Sequence, residues 1–401
     1  MILAPLVADL PGVPRRTIPA RAATDRPAGL PSEVEVVVVG AGIVGLAHAI
    51  EAEARGASVV VIERDACARG ASVRSLGHVA VAAQDGPTLA CAFQTRDKWL
   101  ALRRQAGLVV GESGSVVVAS ADDEMAVLED FVCARDGAAT LLDRAGVARY
   151  VATVGDDVVG GAFLTTDLRV DPRSALHQLA LWFGQRPRAS VVTGTAVLGV
   201  EPGHGRTLVR TSRGDVVARR VVMAVGADVD RLYPGVTEGR LRRRRRHGLR
   251  VALESPVSGD SPVVLGGTAL LHHAGFTRSP HHTEVRGRLD QERPAVVGAG
   301  LNLRATPLAD GTLLLGDAGS GDAGLSPFRD ESVDGLLLDE AWRLLGARPR
   351  VLDRWTATEA VADEPFVATE PQRGLLVVEA TGSTGLSTAF GHAARSLDGF
   401  L

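Results

Sequence analysis

Lysine is almost missing from this chain. Among its 44 basic residues Lys98 is the one lysine, and the rest are arginines. A pyridoxal-phosphate enzyme needs a lysine for its Schiff base. Lys98, in "QTRDKW" on a helical pattern, is poorly placed for that role, which sets that cofactor class aside. Cysteine is scarce too. Cys67, Cys91 and Cys133 show no metal-ligand spacing, and an odd, sparse count suits a reducing, cytoplasmic setting. No run of about 20 apolar residues without charge occurs, so no membrane span is expected. A formal net charge of -3 argues against a nucleic-acid partner. Tyrosine is reduced to Tyr150 and Tyr233. Residues 1–32 lack the basic start of a secretory signal, and their Pro-, Ala- and Arg-rich composition is expected to form a disordered extension.

What is present points the other way. The chain has 401 residues, 46 glycines and 45% hydrophobic residues, enough for two or three domains of an α/β protein rich in tight turns. Val36 to Val39 is an unbroken β-branched run, the composition of a strand buried on both faces. It leads into Gly40-Ala41-Gly42-Ile43-Val44-Gly45, a G-x-G-x-x-G turn. Gly40 permits the turn, Gly42 lets a pyrophosphate approach the backbone, and Gly45 lets helix and strand pack closely. A helix over about Val44 to Arg55 then points its N-terminal amides at the phosphate, and Gly56 ends it. Val59 to Ile62 form a second strand, with Glu63 at its end to accept hydrogen bonds from ribose hydroxyls and Arg64 beside it. Strand, turn, helix, strand and acid together make a dinucleotide site, but they do not by themselves separate FAD from NAD.

Three later segments favour FAD. "GASVRSLGHVAV" resembles the loop that wraps the pyrophosphate and flavin edge in glutathione-reductase-type flavoproteins, with Ala71, Ser72, Arg74, Ser75, Gly77 and His78 as candidate contacts. Val197 is expected beside the adenine. The strand ending in "AVGAD" resembles the A-T-G turn of those proteins, with Ala224 and Gly226 near the dinucleotide. At the C-terminus, "GLLVVEATGSTGLSTAFGHAARSLDGFL" reads as strand, turn and helix. Gly382, Ser383, Thr384, Gly385, Leu386 and Ser387 would set helix-start amides against the flavin.

In this order, the N-terminal G-x-G-x-x-G, "GASVRSLG", "AVGAD" and "TGSTGLSTAFG" resemble the D-amino-acid oxidase/glycine oxidase (DAO) superfamily of FAD-dependent oxidoreductases. Within it the chain is most similar to the phosphonate-associated clade, on Ala71 to Gly77, Gly385 to Gly391 and Leu338 to Gly346. The resemblance covers about residues 34 to 401. It implies an α/β fold: a glutathione-reductase-type FAD-binding Rossmann domain with a mixed-sheet substrate domain inserted. The expected boundaries are 33–88, 165–236 and 312–401 for the FAD-binding domain and 89–164 and 237–311 for the substrate domain. The activity implied is oxidation of a C–N bond by hydride transfer to flavin N5, followed by imine hydrolysis. The substrates implied are small amines bearing an acidic group, such as amino acids, N-methyl amino acids or aminophosphonates, with O2 or another electron acceptor closing the cycle. No metal and no particular oligomeric state is implied.

For the substrate side, the resemblance aligns His247 and Arg250, in "RLRRRRRHGLRVALE", with the strand that enters the site, where arginine's forked donors suit an acid group. His272, His273 and Arg304 are the other candidates. The chain departs from the clade in lacking the expected tyrosines, and "GDAGSGD" keeps Gly316 and Asp317 without the clade's histidine and tyrosine. Three rival readings stay open: an aromatic-hydroxylase-type monooxygenase, suggested by "LLLGDAGSGDAGLSP", a flavin-binding subunit without turnover, and a plain NAD dehydrogenase.

Overall fold

In the computed structural model the described residues are 29–151, 155, 157–203, 205–236, 241–319 and 328–401. The first 28 residues of the expected extension, Arg240 of the arginine run and positions 320–327 of the Gly/Asp segment lie outside them. Leu30, within the expected extension, is buried against the first sheet.

The β-branched run forms Glu33–Val39, and its partners follow from the crossover helix Ile43–Ala54. Val59–Ile62 pairs parallel on one side and Val216–Met223 parallel on the other. The eight-stranded sheet runs Val197–Pro202, Thr207–Thr211, Val216–Met223, Glu33–Val39, Val59–Ile62, Ala189–Val192, with Leu375–Ala380 parallel to Val216–Met223 and Phe366–Gln372 antiparallel beside it. Gly214, at φ 121°, sits in the expected hairpin turn between Thr207–Thr211 and Val216–Met223. The helix Pro172–Gly184 starts as its sequence dictates: Asp171 accepts from Arg173 N at 3.2 Å and Pro172 occupies the first position.

A second eight-stranded sheet runs Arg350–Val361, Arg242–Ala252, Leu313–Ala318, Arg304–Pro307, Val263–Leu265, Ser115–Ala119, Gly160–Leu164, Ala139–Asp143. A small sheet of His78–Val79, Leu168–Val170 and Val110–Gly111 lies between the two units in sequence.

The expected boundaries move at two places. The helix Gly86–Ala106 buries Ala92, Trp99 and Leu102 in the core of the first sheet, and the Trp99 indole N–H donates to the Leu386 carbonyl at 2.9 Å. The strands Leu313–Ala318 and Arg350–Val361 and the helix Glu331–Leu345 belong instead to the second sheet. Turn signals such as Asp85-Gly86-Pro87 and Asp310-Gly311 mark where elements begin, not which sheet the next element joins.

Candidate active site

The N-terminal turn is tightly packed at two glycines and open at the third. A Cβ on Gly40 would stand 2.4 Å from the Ala224 carbonyl oxygen, and one on Gly45 would stand 2.0 Å from the Gly40 carbonyl oxygen, so both positions exclude side chains. Gly42 differs: its Cβ would meet just the Ser72 hydroxyl, at 3.2 Å, which leaves the space above the turn open for a ligand. Ser72 Oγ accepts from Ile43 N at 3.1 Å and so ties the following loop to the helix start. Val44 is buried behind it. The Glu63 carboxylate accepts from Ala41 N at 2.9 Å and from Asp65 N at 3.0 Å, which fixes it at the strand end beside the turn. Arg64 turns outward to Asp228 at 2.9 Å.

The loop Ala71 to Gly77 lies over the same region. Arg74 is exposed, and its carbonyl accepts from Trp355 Nε1 at 2.8 Å. Ser75 Oγ is buried with no partner. Gly77, at φ 78°, could not carry a Cβ, which would lie 2.0 Å from the Val170 carbonyl oxygen. Val197 is buried in the core of the first sheet, and Ala224 and Gly226 close the turn at its central edge.

The C-terminal turn arrives from the other end of the chain at the same place. A Cβ on Gly385 would stand 3.2 Å from Ile43 Cγ2. Gly382 N donates to the Ala360 carbonyl at 3.1 Å, Ser383 Oγ donates to Glu359, and Thr384 Oγ1 donates to the Thr381 carbonyl at 2.8 Å. Leu386 and Ser387 are buried in the first turn of the helix Gly385–Ser396. Two helix starts, an open glycine cradle, an orphaned Ser75 hydroxyl and a fixed strand-end carboxylate fit a dinucleotide with a ring system running toward the second sheet.

That sheet presents the charged residues. Side chains of a strand alternate between faces, and Arg242–Ala252 shows the consequence. Arg244, Arg246 and Arg250 share a face with their cross-strand partners Glu359, Ala357 and Asp353. Arg244 donates to Glu359 at 2.7 Å; Arg246 pairs with Asp317 and with Glu359 at 3.4 Å; Arg304 donates to Asp317. Three guanidiniums thus face two carboxylates, a surplus of one positive charge. Burial pushes the guanidiniums down, Arg246 to about 9 and Arg304 to about 10, and both remain charged at neutral pH. The Nε of each is buried without a partner.

The same parity separates the expected pair, His247 and Arg250. His247 points to the opposite face, where its Nδ1 lies 2.9 Å from Asp334. Burial raises the Asp334 carboxyl, yet hydrogen bonds from His247 and Arg329 hold it at about 2. That network anchors the helix Glu331–Leu345 behind the sheet. Arg250 lies at the sheet's edge, pairing with Asp310 and, at 3.3 Å, with Asp353, while its Nε donates to Thr312 at 3.1 Å. His272 and His273 do adjoin the arginines: His272 shares a hydrogen bond with the Leu301 carbonyl at 3.0 Å, and burial with the Arg246 charge holds it below the ordinary histidine range. Burial, then Arg304, hold His273 well below it as well, and its Nε2 is buried without a partner.

Other residues of the site carry no motif. Glu379 sits in the apolar strand Leu375–Ala380, Glu359 in the mixed polar strand Arg350–Val361, and Asp167 in the short "TTDLRV" stretch. An acid inside an otherwise apolar strand was the available signal for Glu379.

Residues 35–396 match the family described as FAD dependent oxidoreductase (DAO), and the chain belongs to that family of FAD-binding oxidoreductases. Among solved structures it is similar to glycine oxidase from Geobacillus kaustophilus (TM-score 0.72, 18% identity, 92% of this chain and 95% of that one). It is also similar to L-proline dehydrogenase from P. horikoshii (TM-score 0.74, 16% identity, 92% and 94%). A curated relative, the bifunctional protein ThiO/ThiG of Nostoc sp., is 29% identical over 209 residues, 50% of this chain. The match spans 32% of that relative's length. Among the described residues no helix is long and apolar enough to cross a membrane, and no His/Cys/Asp/Glu cluster could hold a metal.

Proposed function

We propose that this protein oxidises the C–N bond of a small amine bearing an acidic group: an amino acid, an N-methyl amino acid or an aminophosphonate. The observation that carries this reading is the buried pair Arg246 and Arg304, which share Asp317 and each keep a buried Nε donor without a partner, with Glu359 linking Arg246 to Ser383 of the C-terminal turn. A planar guanidinium fork suits a carboxylate or phosphonate. The surplus positive charge among Arg244, Arg246, Arg304, Asp317 and Glu359 would be neutralised by such an acid group. FAD, when bound, supplies the acceptor for a hydride from the carbon beside nitrogen, and water hydrolyses the resulting imine.

Gly40, Gly42, Gly45, Glu63, Ser72, Ser75 and Gly382 to Ser387 would hold that cofactor. Arg304 and Arg246 would clamp the acid group, which fixes the reacting carbon's position. His272 and His273, neutral at physiological pH, would wall the amine side without repelling it. Named relatives that act on glycine, proline and other amino acids support the amino-acid-like class. Exposed, unpaired Cys67 and Cys133 support a reducing, cytoplasmic setting. A flavin-binding subunit without turnover is favoured by one observation: Asp317 already occupies donors of both arginines.

Anaerobic titration of the FAD-loaded protein with sarcosine, glycine, D-alanine, 2-aminoethylphosphonate and its N-methyl form tests both. Bleaching of the yellow flavin band by one of them is expected. Bleaching by none would leave the subunit reading standing.

A further inference from the structure

His78 is held in a way that cofactor binding alone does not require. Its Nε2 lies 2.8 Å from Asp167 Oδ2, and that same oxygen accepts from Ser115 Oγ at 2.7 Å. The other Asp167 oxygen accepts from Val81 N at 2.8 Å and Ala82 N at 3.0 Å. His78 and Asp167 side chains are both fully shielded from solvent. Burial drives the Asp167 carboxyl up, but the His78, Ser115 and Val81 hydrogen bonds outweigh it and leave it below the ordinary carboxylate range. An ionised Asp167 requires a proton on His78 Nε2. In the neutral ring the lone pair then sits on Nδ1, which is buried with no partner.

The imidazole lies within electrostatic reach of His273, whose own Nε2 is also orphaned and which senses Arg304 and Arg246. His78, His273, Arg304 and Arg246 thus share one electrostatic neighbourhood. The groups that face His78 are Asp167 before the strand Leu168–Val170, Ser115 on Ser115–Ala119, Arg169 as its cross-strand partner, and His273 beyond Gly267–Leu271. Arg169 is engaged with the Pro307 carbonyl at 3.1 Å.

We propose that His78, fixed by Asp167, takes the proton from the substrate ammonium at Nδ1 before oxidation. This rests on the amine-oxidation reading above. One N–H bond of the ammonium breaks, its electron pair stays on the amine nitrogen, and an N–H bond forms at Nδ1; nothing is oxidised or reduced in this step. Amino acids arrive as ammonium ions at neutral pH, and a carbon beside a positive nitrogen does not release a hydride. A buried imidazole locked by a carboxylate is a suitable acceptor.

The test uses the full-length FAD-loaded protein with 15N-labelled histidine, the His78 resonances being assigned by their loss in His78→Gln. The probe is 2-aminoisobutyrate, which carries ammonium and carboxylate but has no hydrogen on the carbon beside nitrogen, so it cannot turn over. Saturation with it should move His78 Nδ1 from the bare to the protonated range, and isobutyrate should not. With an oxidisable amine, His78→Gln should lower kcat/KM roughly 100- to 1,000-fold at pH 7, with recovery as pH rises and free amine becomes abundant. The proposal is overturned by no response of Nδ1 to 2-aminoisobutyrate, by an equal response to isobutyrate, or by a response to FAD loading alone, which would make His78 a cofactor ligand. A variant whose pH profile keeps the wild-type shape would overturn it too. Failure of every amine to bleach wild-type flavin defeats the amine-oxidation reading instead, and the Nδ1 response is read independently of it.

Discussion

Ile43 and Gly385 stand against each other: a Cβ on Gly385 would lie 3.2 Å from Ile43 Cγ2, although 341 intervening positions separate them. One begins the first crossover helix and the other begins the last helix of the chain. Their amide-bearing ends therefore lie side by side. Gly42 next to Ile43 is the point of attack. Its Cβ would touch just the Ser72 hydroxyl, so Gly42→Val leaves the apoprotein folded but places a branched side chain in the pyrophosphate's space. Flavin absorbance of the purified variant should fall at least tenfold, with unchanged far-UV circular dichroism. Full flavin occupancy in Gly42→Val would show that the phosphate sits elsewhere. Gly45→Ala, by contrast, drives a methyl to 2.0 Å from the Gly40 carbonyl oxygen and should cost the fold itself.

Arg246 and Arg250 share a strand face yet should behave differently. Arg246→Gln removes a buried donor to Asp317 and Glu359 and should raise KM for acidic amines about 100-fold over its effect on neutral ones, since buried charged contacts are worth about 2–5 kcal/mol when broken. Arg250→Ala breaks edge pairs with Asp310 and Asp353, worth about 1 kcal/mol or less, and should change KM less than about threefold. Steady-state kinetics on matched acidic and neutral amines decide it. The reverse ranking would return the acid site to Arg250.

The first crossover was legible because its parts are contiguous. Strand, glycine turn, helix, second strand and Glu63 fall within 31 consecutive positions, 33 to 63, and each has a local physical reason. The substrate half depends on strand parity. Five successive arginines read alike in sequence, and which of them turn inward is set by the partner strand: Glu359 opposite Arg244 and Ala357 opposite Arg246 fix the face. His247, one step out of phase, falls behind the sheet against Asp334. Asp167, which holds His78, comes 89 positions later, just before a strand of three residues, so no window of sequence joins them.

His48 and His392 make the closure acid-sensitive. His48 Nε2 meets Ser396 Oγ at 2.7 Å, and its ring stands edge-on to His392, which stacks on Phe366 at 4.6 Å. Burial, then the neighbouring His392, lower His48 to about 3, and burial lowers His392 to about 4. The unfolded chain takes these protons near pH 6.5 while the folded one refuses them. Stability is therefore complete above pH 6.5 and is lost as pH falls toward 4, at up to about 1.4 kcal/mol per pH unit for each histidine. His392→Leu should flatten the fall of Tm between pH 7.5 and pH 4.5. A variant whose Tm falls as steeply as the wild type would remove His392 from that account.

Glu379 should act with the opposite sign. It lies half-buried at the end of Leu375–Ala380, with one carboxyl oxygen 3.9 Å from where a Gly226 Cβ would stand. Burial, then the Glu359 charge, push it up to about 8, against hydrogen bonds from the Ala380 and Gly226 backbone. The folded chain thus holds a proton that the unfolded chain releases near pH 4.5. Its contribution is fully present below pH 4.5 and is lost as pH rises to about 8. Glu379→Gln keeps the neutral shape without the proton to lose. Its apoprotein Tm, relative to wild type, should rise by a few degrees more at pH 8.5 than at pH 5. The added variant Glu359→Gln should shrink that difference, because it removes the second cause of the shift. Equal Tm differences at both pH values would mean that Glu379 is ionised throughout, and the Glu359 variant would then change nothing.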